Sequence, residues 1–341
     1  MIHDKTILVT GGAGFFGSNY VLRQIKKQKF CIINLDALTD SGNLDSLSGL
    51  DDNPEHHFVL GSIVDRSLTE YLMLRYQPCA VVNFAVETQI DKVATDPEVF
   101  IQTNVNGTFE LLEATRKYWT SLQGELRKEF RFVQVSTDEV FGSWNDLKLF
   151  TEETAYRPVS LSAACEASSN HLVQAYHHNF SLPTLIVHCS RGFGPYQFPG
   201  NLVPGSVLSV IRGEPTPVRE CAGDFNDWLY VDDHCRAIDS VLEKGKAGEC
   251  YNVNGGGGKS DGEILEILAA LLSEIDFEMP PVLQQRTDYS HLSGNSSKIY
   301  LETGWQPRET LESGLRKTIH WYRNNKEWCQ RVLDGTYLVG N

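Results

Sequence analysis

No stretch of the 341-residue chain is apolar for long enough to cross a bilayer, and the first residues run straight into a short apolar strand. That leaves no room for a signal peptide, so a cytoplasmic protein is expected. Nor is there an excess of positive charge: 30 lysines and arginines stand against 44 aspartates and glutamates, a formal net charge of −14. This balance argues against nucleic acid or an anionic membrane surface as a partner, because both would be repelled. Any anionic ligand has to be held by a local site rather than by the overall field. The eight cysteines form no C-x-x-C pair and no metal-ligand spacing, so buried reduced thiols are expected and no metal. Repeats, low-complexity tracts and long linkers are also missing. What remains is an ordinary globular composition, 41% hydrophobic and 22% charged, in a chain long enough for two lobes.

The most informative stretch present is Val9-Thr10-Gly11-Gly12-Ala13-Gly14-Phe15-Phe16-Gly17. It follows the apolar run Thr6 to Val9 and leads into a helical pattern from Ser18 to Lys27. Strand, glycine turn and helix together suit a dinucleotide pyrophosphate. Gly11 permits the tight turn, Gly14 lets the backbone approach the phosphates, and Gly17 lets helix pack on strand. The helix N-terminus offers free N–H groups and its positive end to the anion, and Phe15 and Phe16, just before it, are candidate cofactor contacts. A second apolar run, Phe30 to Leu35, ends in Asp36, where a carboxylate can bind a ribose diol. With no arginine directly after it, Asp36 favours NAD over NADP, since the carboxylate would repel a 2′-phosphate.

Apolar strand-like runs alternate with helical patterns through the first half of the chain. Strands are expected near residues 58–60, 80–84, 131–135 and 184–188, and helices end near Tyr76 and span about 97–119 and 163–179. The alternation implies βαβ units: an α/β, Rossmann-like, doubly wound parallel sheet with helices on both faces. Ligands in such sheets bind at the carboxyl ends of the strands, so the residues after Val9, Leu35, Phe84, Val135 and His188 should line one crevice. Residues 1–190 are expected to form this dinucleotide-binding domain, joined by a later strand near 227–240. Residues 191–341 should make a smaller α/β substrate lobe. The run Gly255 to Gly258 reads as a mobile loop rather than a second phosphate site.

Several segments are similar to the dTDP-glucose 4,6-dehydratase family of extended short-chain dehydrogenases/reductases. They are Thr10 to Phe15, Asp36 with Leu38-Thr39 and Gly42-Asn43-Leu44, Phe84-Ala85-Val86-Glu87, Thr103-Asn104, and Val135-Ser136-Thr137-Asp138-Glu139-Val140. Gly194 to Pro199 and Asp227 to His234 complete the resemblance, which spans nearly the whole chain. It implies that NAD takes a hydride from C4 of a nucleotide sugar, water leaves across C5 and C6, and the hydride returns to C6. It also implies that Thr137, Asp138 and Glu139 serve the elimination, the two acids working on the leaving hydroxyl and the C5 proton. Adjacent carboxyls at a strand end can hold different pKa values and divide those roles. A homodimer, built partly on the helix near 163–179, is implied as well.

Departures from the family's pattern are as informative as the matches. The family carries a tyrosine with a lysine four residues later, and an ungapped register places Ser162 and Glu166 there. A serine hydroxyl is a poor base, and a carboxylate beside it a poor activator. Tyr322 and Lys326 repeat the spacing in the terminal helix, which reads as a surface coincidence. On the substrate side, Arg191, Asn201 and Asn226 replace other residues, and His291 falls in a segment where the family is arginine-rich. Arg191 is a candidate grip for an anionic group, or a partner for Glu166 or another nearby acid; Glu87 also faces the substrate side by its place after the strand. On the cofactor side, Ser62 stands before Ile63 where the family has aspartate, Ala85 lines the crevice, and Glu166 could accept from the nicotinamide ribose. Three functions stay open. They are an NAD-binding nucleotide-sugar dehydratase with altered chemistry, a non-redox lyase, epimerase or cyclase with NAD structural or absent, and a non-catalytic NAD-binding pseudoenzyme.

Overall fold

The structure, a computed structural model, describes residues 5–88, 93, 95–142, 149–214, 225–277, 279 and 291–338. Its strands are β1 (Thr6–Thr10), β2 (Cys31–Asp36), β3 (His56–Leu60), β4 (Ala80–Asn83), β5 (Arg131–Thr137) and β6 (Thr184–Cys189). They continue with β7 (Arg191–Phe193), β8 (Phe225–Tyr230), β9 (Cys250–Val253), β10 (Gly258–Ser260) and β11 (His291–Leu292). The helices named below are α1 (Phe15–Lys27), α2 (Arg66–Tyr76), α3 (Thr108–Ser121), α4 (Gly124–Glu129), α5 (Leu161–Phe180) and α6 (Leu202–Arg212). The remainder are α7 (Val231–Lys244), α8 (Asp261–Ser273), α9 (Ser297–Thr303), α10 (Leu311–Asn324) and α11 (Lys326–Leu333).

Seven strands form one parallel sheet in the order β3-β2-β1-β4-β5-β6-β9. Strands covered on both faces read as continuous apolar runs, and β1, β4 and β6 do so. One face packs Val9, Val133 and Val187 against Tyr20 of α1 and Ile238 of α7. The other packs Leu8, Phe132 and Ile186 against Leu72 of α2, Leu111 of α3 and Val173 of α5. The smaller sheet is built on β8, which pairs antiparallel with β10 and parallel with β7 and β11. Val207 of α6, Leu268 of α8, Leu315 of α10 and Trp328 of α11 share its core.

Four expectations are corrected. The strand at 225–230 belongs to the smaller sheet, and the strand that completes the larger one is β9, all four of whose residues are buried. Only the helix after β8 returns to the dinucleotide side, where Asp239 of α7 takes Arg23 and Lys27 of α1. The helix expected over 97–119 is not uniform: a π-helical stretch, Ile101–Gly107, precedes α3. Tyr322 is not at the surface, because its phenol is buried in the smaller lobe and donates to the carbonyl of Gln197 at 2.6 Å. Lys326 opens a separate helix after the break at Asn325, so the two share no helix face. The glycine run turns into β10, and a Cβ at Gly255 would lie 2.2 Å from the carbonyl of Trp228. Close backbone approach accounts for that glycine.

Candidate active site

The turn between β1 and α1 is held by its own backbone. Gly11 has φ +69° and donates to the carbonyl of Leu35 at 2.9 Å, and a Cβ there would lie 2.6 Å from the amide of Ala85. Gly14 differs: a Cβ on it would meet nothing closer than 3.4 Å, so the space over the turn is open. Its residue position caps α1 without a side-chain acceptor, and the first turn carries no acid. N–H groups of an uncapped thirteen-residue helix therefore face that space, as a phosphate requires. Phe16 contributes backbone there, while its ring packs on Gly192 and meets His234 edge-on at 5.0 Å.

Asp36 ends β2 with its carboxylate accepting from the amides of Ala13 and Leu38, both at 2.8 Å. Burial nevertheless raises its pKa. Turn and acid are thus tied together, and the donor set fits a dinucleotide. Ser62 is spent locally, accepting from the amide of Val64, and Ile63 is buried beneath Gly107. Beyond β4, Glu87 is buried, and Asn104 of the π-helical stretch clamps its backbone, donating at 3.0 Å and accepting at 2.7 Å.

The acids gather at the end of β5. Thr137 caps a short 3-10 turn, Asp138–Phe141, by accepting from the amide of Glu139. Asp138 is buried with one carboxyl oxygen lacking a partner among the described residues. Burial, then the charges of Glu139 and Asp227, push its pKa well above the carboxylate range, against the pull of Arg191. Glu139 is exposed. Glu166 of α5 is also buried; burial and the charge of Glu139 raise it to about 8, while a backbone N–H from Thr137 opposes the shift. Ser162, one helical turn earlier, is half-buried. Thr137, Asp138, Glu139 and Glu166 therefore lie together.

The substrate-side candidates are dispersed differently. Arg191 pairs with Asp261 at 3.2 Å and not with Glu166, and its guanidinium lies 5.2 Å from the Trp228 ring centre. Asn201 caps α6 and donates to the carbonyl of Phe198. Asn226 lies half-buried on β8 in register with Lys259 and Leu292, and His291 stands on β11 in register with Phe225. The neighbouring residues 285–290 lie outside the described residues. Among the described residues no group of three or more His, Cys, Asp or Glu could hold a metal ion. No described helix is long and apolar enough to cross a membrane.

Sequence reasoning passed over two features. Asp227 is buried, accepts from the Gly255 amide and the Ser293 hydroxyl, and acts on Asp138. Tyr156 bonds His188 at 2.7 Å, and burial raises the phenol while lowering the imidazole to about 3. A phenol shifted upward keeps its proton at neutral pH, so Tyr156 is not poised as a base.

Glu166 gives a measurable consequence. Its folded pKa of about 8 lies above the ordinary 4.5, so between those values the folded protein keeps a proton that the unfolded chain has released. The stabilisation is complete below about pH 4.5 and is lost as the pH rises through 8. Glu166→Gln keeps the neutral shape at every pH. It is expected to be more stable than the parent at pH 8 by a few kcal/mol, since each tenfold change in proton affinity is worth roughly 1.4 kcal/mol, with the gap closing near pH 4.5. Urea midpoints across that range check it; an alkaline gap that does not appear would mean that Glu166 is not buried as a neutral acid.

A glycine-turned parallel sheet with a carboxyl cluster at its strand ends is the plan of a dinucleotide-binding α/β enzyme. The family model described as GDP-mannose 4,6 dehydratase matches residues 8–318. A dTDP-glucose 4,6-dehydratase of Xanthomonas campestris is 43% identical, covering 98% of this chain and 97% of its own. One of Neisseria meningitidis is 41% identical over 98% of both. Among solved structures, the Bacillus anthracis dTDP-glucose 4,6-dehydratase in complex with NAD superposes with a TM-score of 0.85 at 37% identity, covering 96% of this chain and 99% of that one. A Streptomyces venezuelae dTDP-glucose 4,6-dehydratase with NAD bound gives 0.83 at 34%, with the same coverage. The chain belongs to the dTDP-glucose 4,6-dehydratase family.

Proposed function

We propose that this protein is an NAD-binding nucleotide-sugar lyase of the dehydratase type, cytoplasmic and homodimeric, whose proton transfers run through carboxyls alone. The observation that carries the reading is the meeting of buried Asp138 and Glu166 with exposed Glu139 at the end of β5. A carboxyl that keeps its proton at neutral pH is a general acid, and an ionised neighbour is a general base. Asp138 protonates the leaving hydroxyl and Glu139 takes the proton from carbon. Gly11, Gly14 and the first turn of α1 hold the pyrophosphate of NAD, and Asp36 holds the adenosine ribose. Glu166 is placed for the nicotinamide ribose. When bound, NAD supplies a hydride acceptor.

Ser162 and Glu166, in the register of the family's tyrosine and lysine, favour chemistry in which that oxidation is slow or absent. Gentle purification followed by absorbance and mass spectrometry is expected to find bound NAD or NADH. Incubation with dTDP-glucose is then expected to give no 4-keto-6-deoxy product at an ordinary enzyme rate of about 1 per second or more. Formation of that product at such a rate would overturn the altered chemistry and restore the ordinary dehydratase.

A further inference from the structure

Among the described residues, the crevice holds an elimination pair without a group suited to start an oxidation. A carboxylate such as Glu139 does not take a proton from carbon unless a neighbouring carbonyl or carboxyl can receive the electron pair. In the reaction implied by the family, hydride removal creates that neighbour as a ketone. A substrate that arrives with its own acidifying group needs no such step.

Arg191 is placed to receive such a group. It opens β7 in register with Trp228 of β8, and its guanidinium lies against that indole. Its side chain is 43% exposed, and one nitrogen donates to Asp261 at 3.2 Å, the long end of the hydrogen-bond range. A guanidinium has five N–H groups in a planar fork matched to a carboxylate, and among the described residues Asp261 is its one hydrogen-bond partner, so among them most of its capacity is open. Arg191 lies two residues beyond Cys189, which is in register with Thr137 next to Asp138, and its partner Trp228 adjoins Asp227, so its ligand sits at the strand ends that carry the acids. The charges of Glu139 and Asp227 act on Asp138 and oppose a further anion there, and among these groups Arg191 alone attracts one. Asp261 gives little resistance to exchange: it is the first residue of α8, where the helix dipole stabilises a free carboxylate, and a capping box of Ser260 with Glu263 holds the turn without Arg191.

We propose that Arg191 binds a carboxylate carried by the sugar of a nucleotide sugar, exchanging Asp261 for it, and thereby selects acidic sugars for elimination without prior oxidation. The inference rests on the lyase reading above. Glu139 takes the proton from the carbon next to the carboxylate, and that electron pair forms a double bond to the adjacent carbon. The C–O bond on that carbon breaks, and its oxygen leaves as water with the proton from Asp138. Arg191 meets the charge that builds on the carboxylate oxygens. Nothing is oxidised or reduced; Glu139 ends protonated and Asp138 ionised.

Calorimetric titration of the full chain with dTDP, dTDP-glucose and dTDP-glucuronate tests this, using the parent, Arg191→Gln and Asp261→Asn. A charge-assisted pair implies about ten- to a hundredfold tighter binding of the glucuronate than of the glucose. Arg191→Gln removes that preference, and Asp261→Asn, which frees the guanidinium, widens it. Incubation of the glucuronate with the parent gives a product lighter by one water with the ultraviolet absorbance of a conjugated acid. Equal binding of the two sugars, or an equal loss for both in Arg191→Gln as if it gripped the diphosphate, overturns the inference and leaves the lyase reading standing. A preference without loss of water overturns the elimination step. If neither dTDP nor either sugar binds, the lyase reading falls and takes the inference with it.

Discussion

Asp138→Asn is expected to slow the elimination by about 10²–10⁴-fold, the range a positioned general acid contributes. The side chain is buried, and burial together with Glu139 and Asp227 keeps its proton on well above the pH at which an ordinary aspartate ionises. Asparagine matches the neutral carboxyl in size and polarity but has no acidic proton for a leaving hydroxyl. Stability should therefore hold or rise slightly while turnover collapses, and comparing thermal midpoints with single-turnover rates separates the two. Substrate affinity should change by less than about tenfold, because a neutral group replaces a neutral group; about 1.4 kcal/mol marks that limit. Asp138→Asn with parental turnover would remove this residue from the chemistry and leave Glu166 and Asp227 as the buried acids beside it. Glu139→Gln provides the complementary loss, since it removes the base and leaves the acid in place.

The turn and its acid were legible because their signal is local. Gly17 clears the Gly11 carbonyl six residues before it, Gly11 takes the positive φ of a tight turn, and Asp36 is tied to Ala13 within the same βαβ unit. The crevice was legible at one remove, because parallel strands end on the same side and β5 and β6 stay in register through Thr137 and Cys189. Pairing over long separations was not legible. Asp227 to Val231 reads as a strand that joins the dinucleotide domain, yet β8 pairs with β7, β10 and β11 and is not part of the larger sheet. Nothing local distinguishes it from β9. Arg191 and Asp261 are 70 residues apart, and Tyr156 and His188 are 32 apart, so neither partner could be chosen from spacing. Tyr322 failed differently: the Tyr-x-x-x-Lys spacing suggested an exposed helix face, but the apolar face of α10 carries the tyrosine inward and the helix stops at Asn324.

The acid cluster also explains why stability and function pull apart in this crevice. Glu166 and Asp138 each cost the folded state something at neutral pH, since burial disfavours their ionised forms. A core built for stability alone would place apolar side chains at both positions. Functional sites are where such costs persist, because a carboxyl with a displaced pKa is what acid–base chemistry uses.

The three glycines of the turn should separate when each is given a methyl group. Gly17→Ala puts a Cβ 2.1 Å from the carbonyl oxygen of Gly11 and 2.7 Å from the Cα of Gly12. Both contacts are backbone, so no side chain can swing aside. Either α1 lifts off β1 or the turn opens, and with Tyr20 and Val21 seated in the core both routes strip buried area. A loss of about 3 kcal/mol or more is expected, at the upper end for overpacking. Gly14→Ala is the contrast. Its nearest neighbour at 3.4 Å makes an ordinary contact, so the fold should keep its stability to within about 1 kcal/mol. The added methyl instead enters the open space above the turn, where we propose that the pyrophosphate meets the amides of Phe15 and Phe16. NAD affinity should fall by about tenfold or more, as for one lost charge-assisted hydrogen bond, while the thermal midpoint stays near that of the parent. If Gly14→Ala binds NAD like the parent, the dinucleotide does not lie over this turn. If Gly17→Ala is as stable as the parent, the close packing of α1 on β1 is wrong.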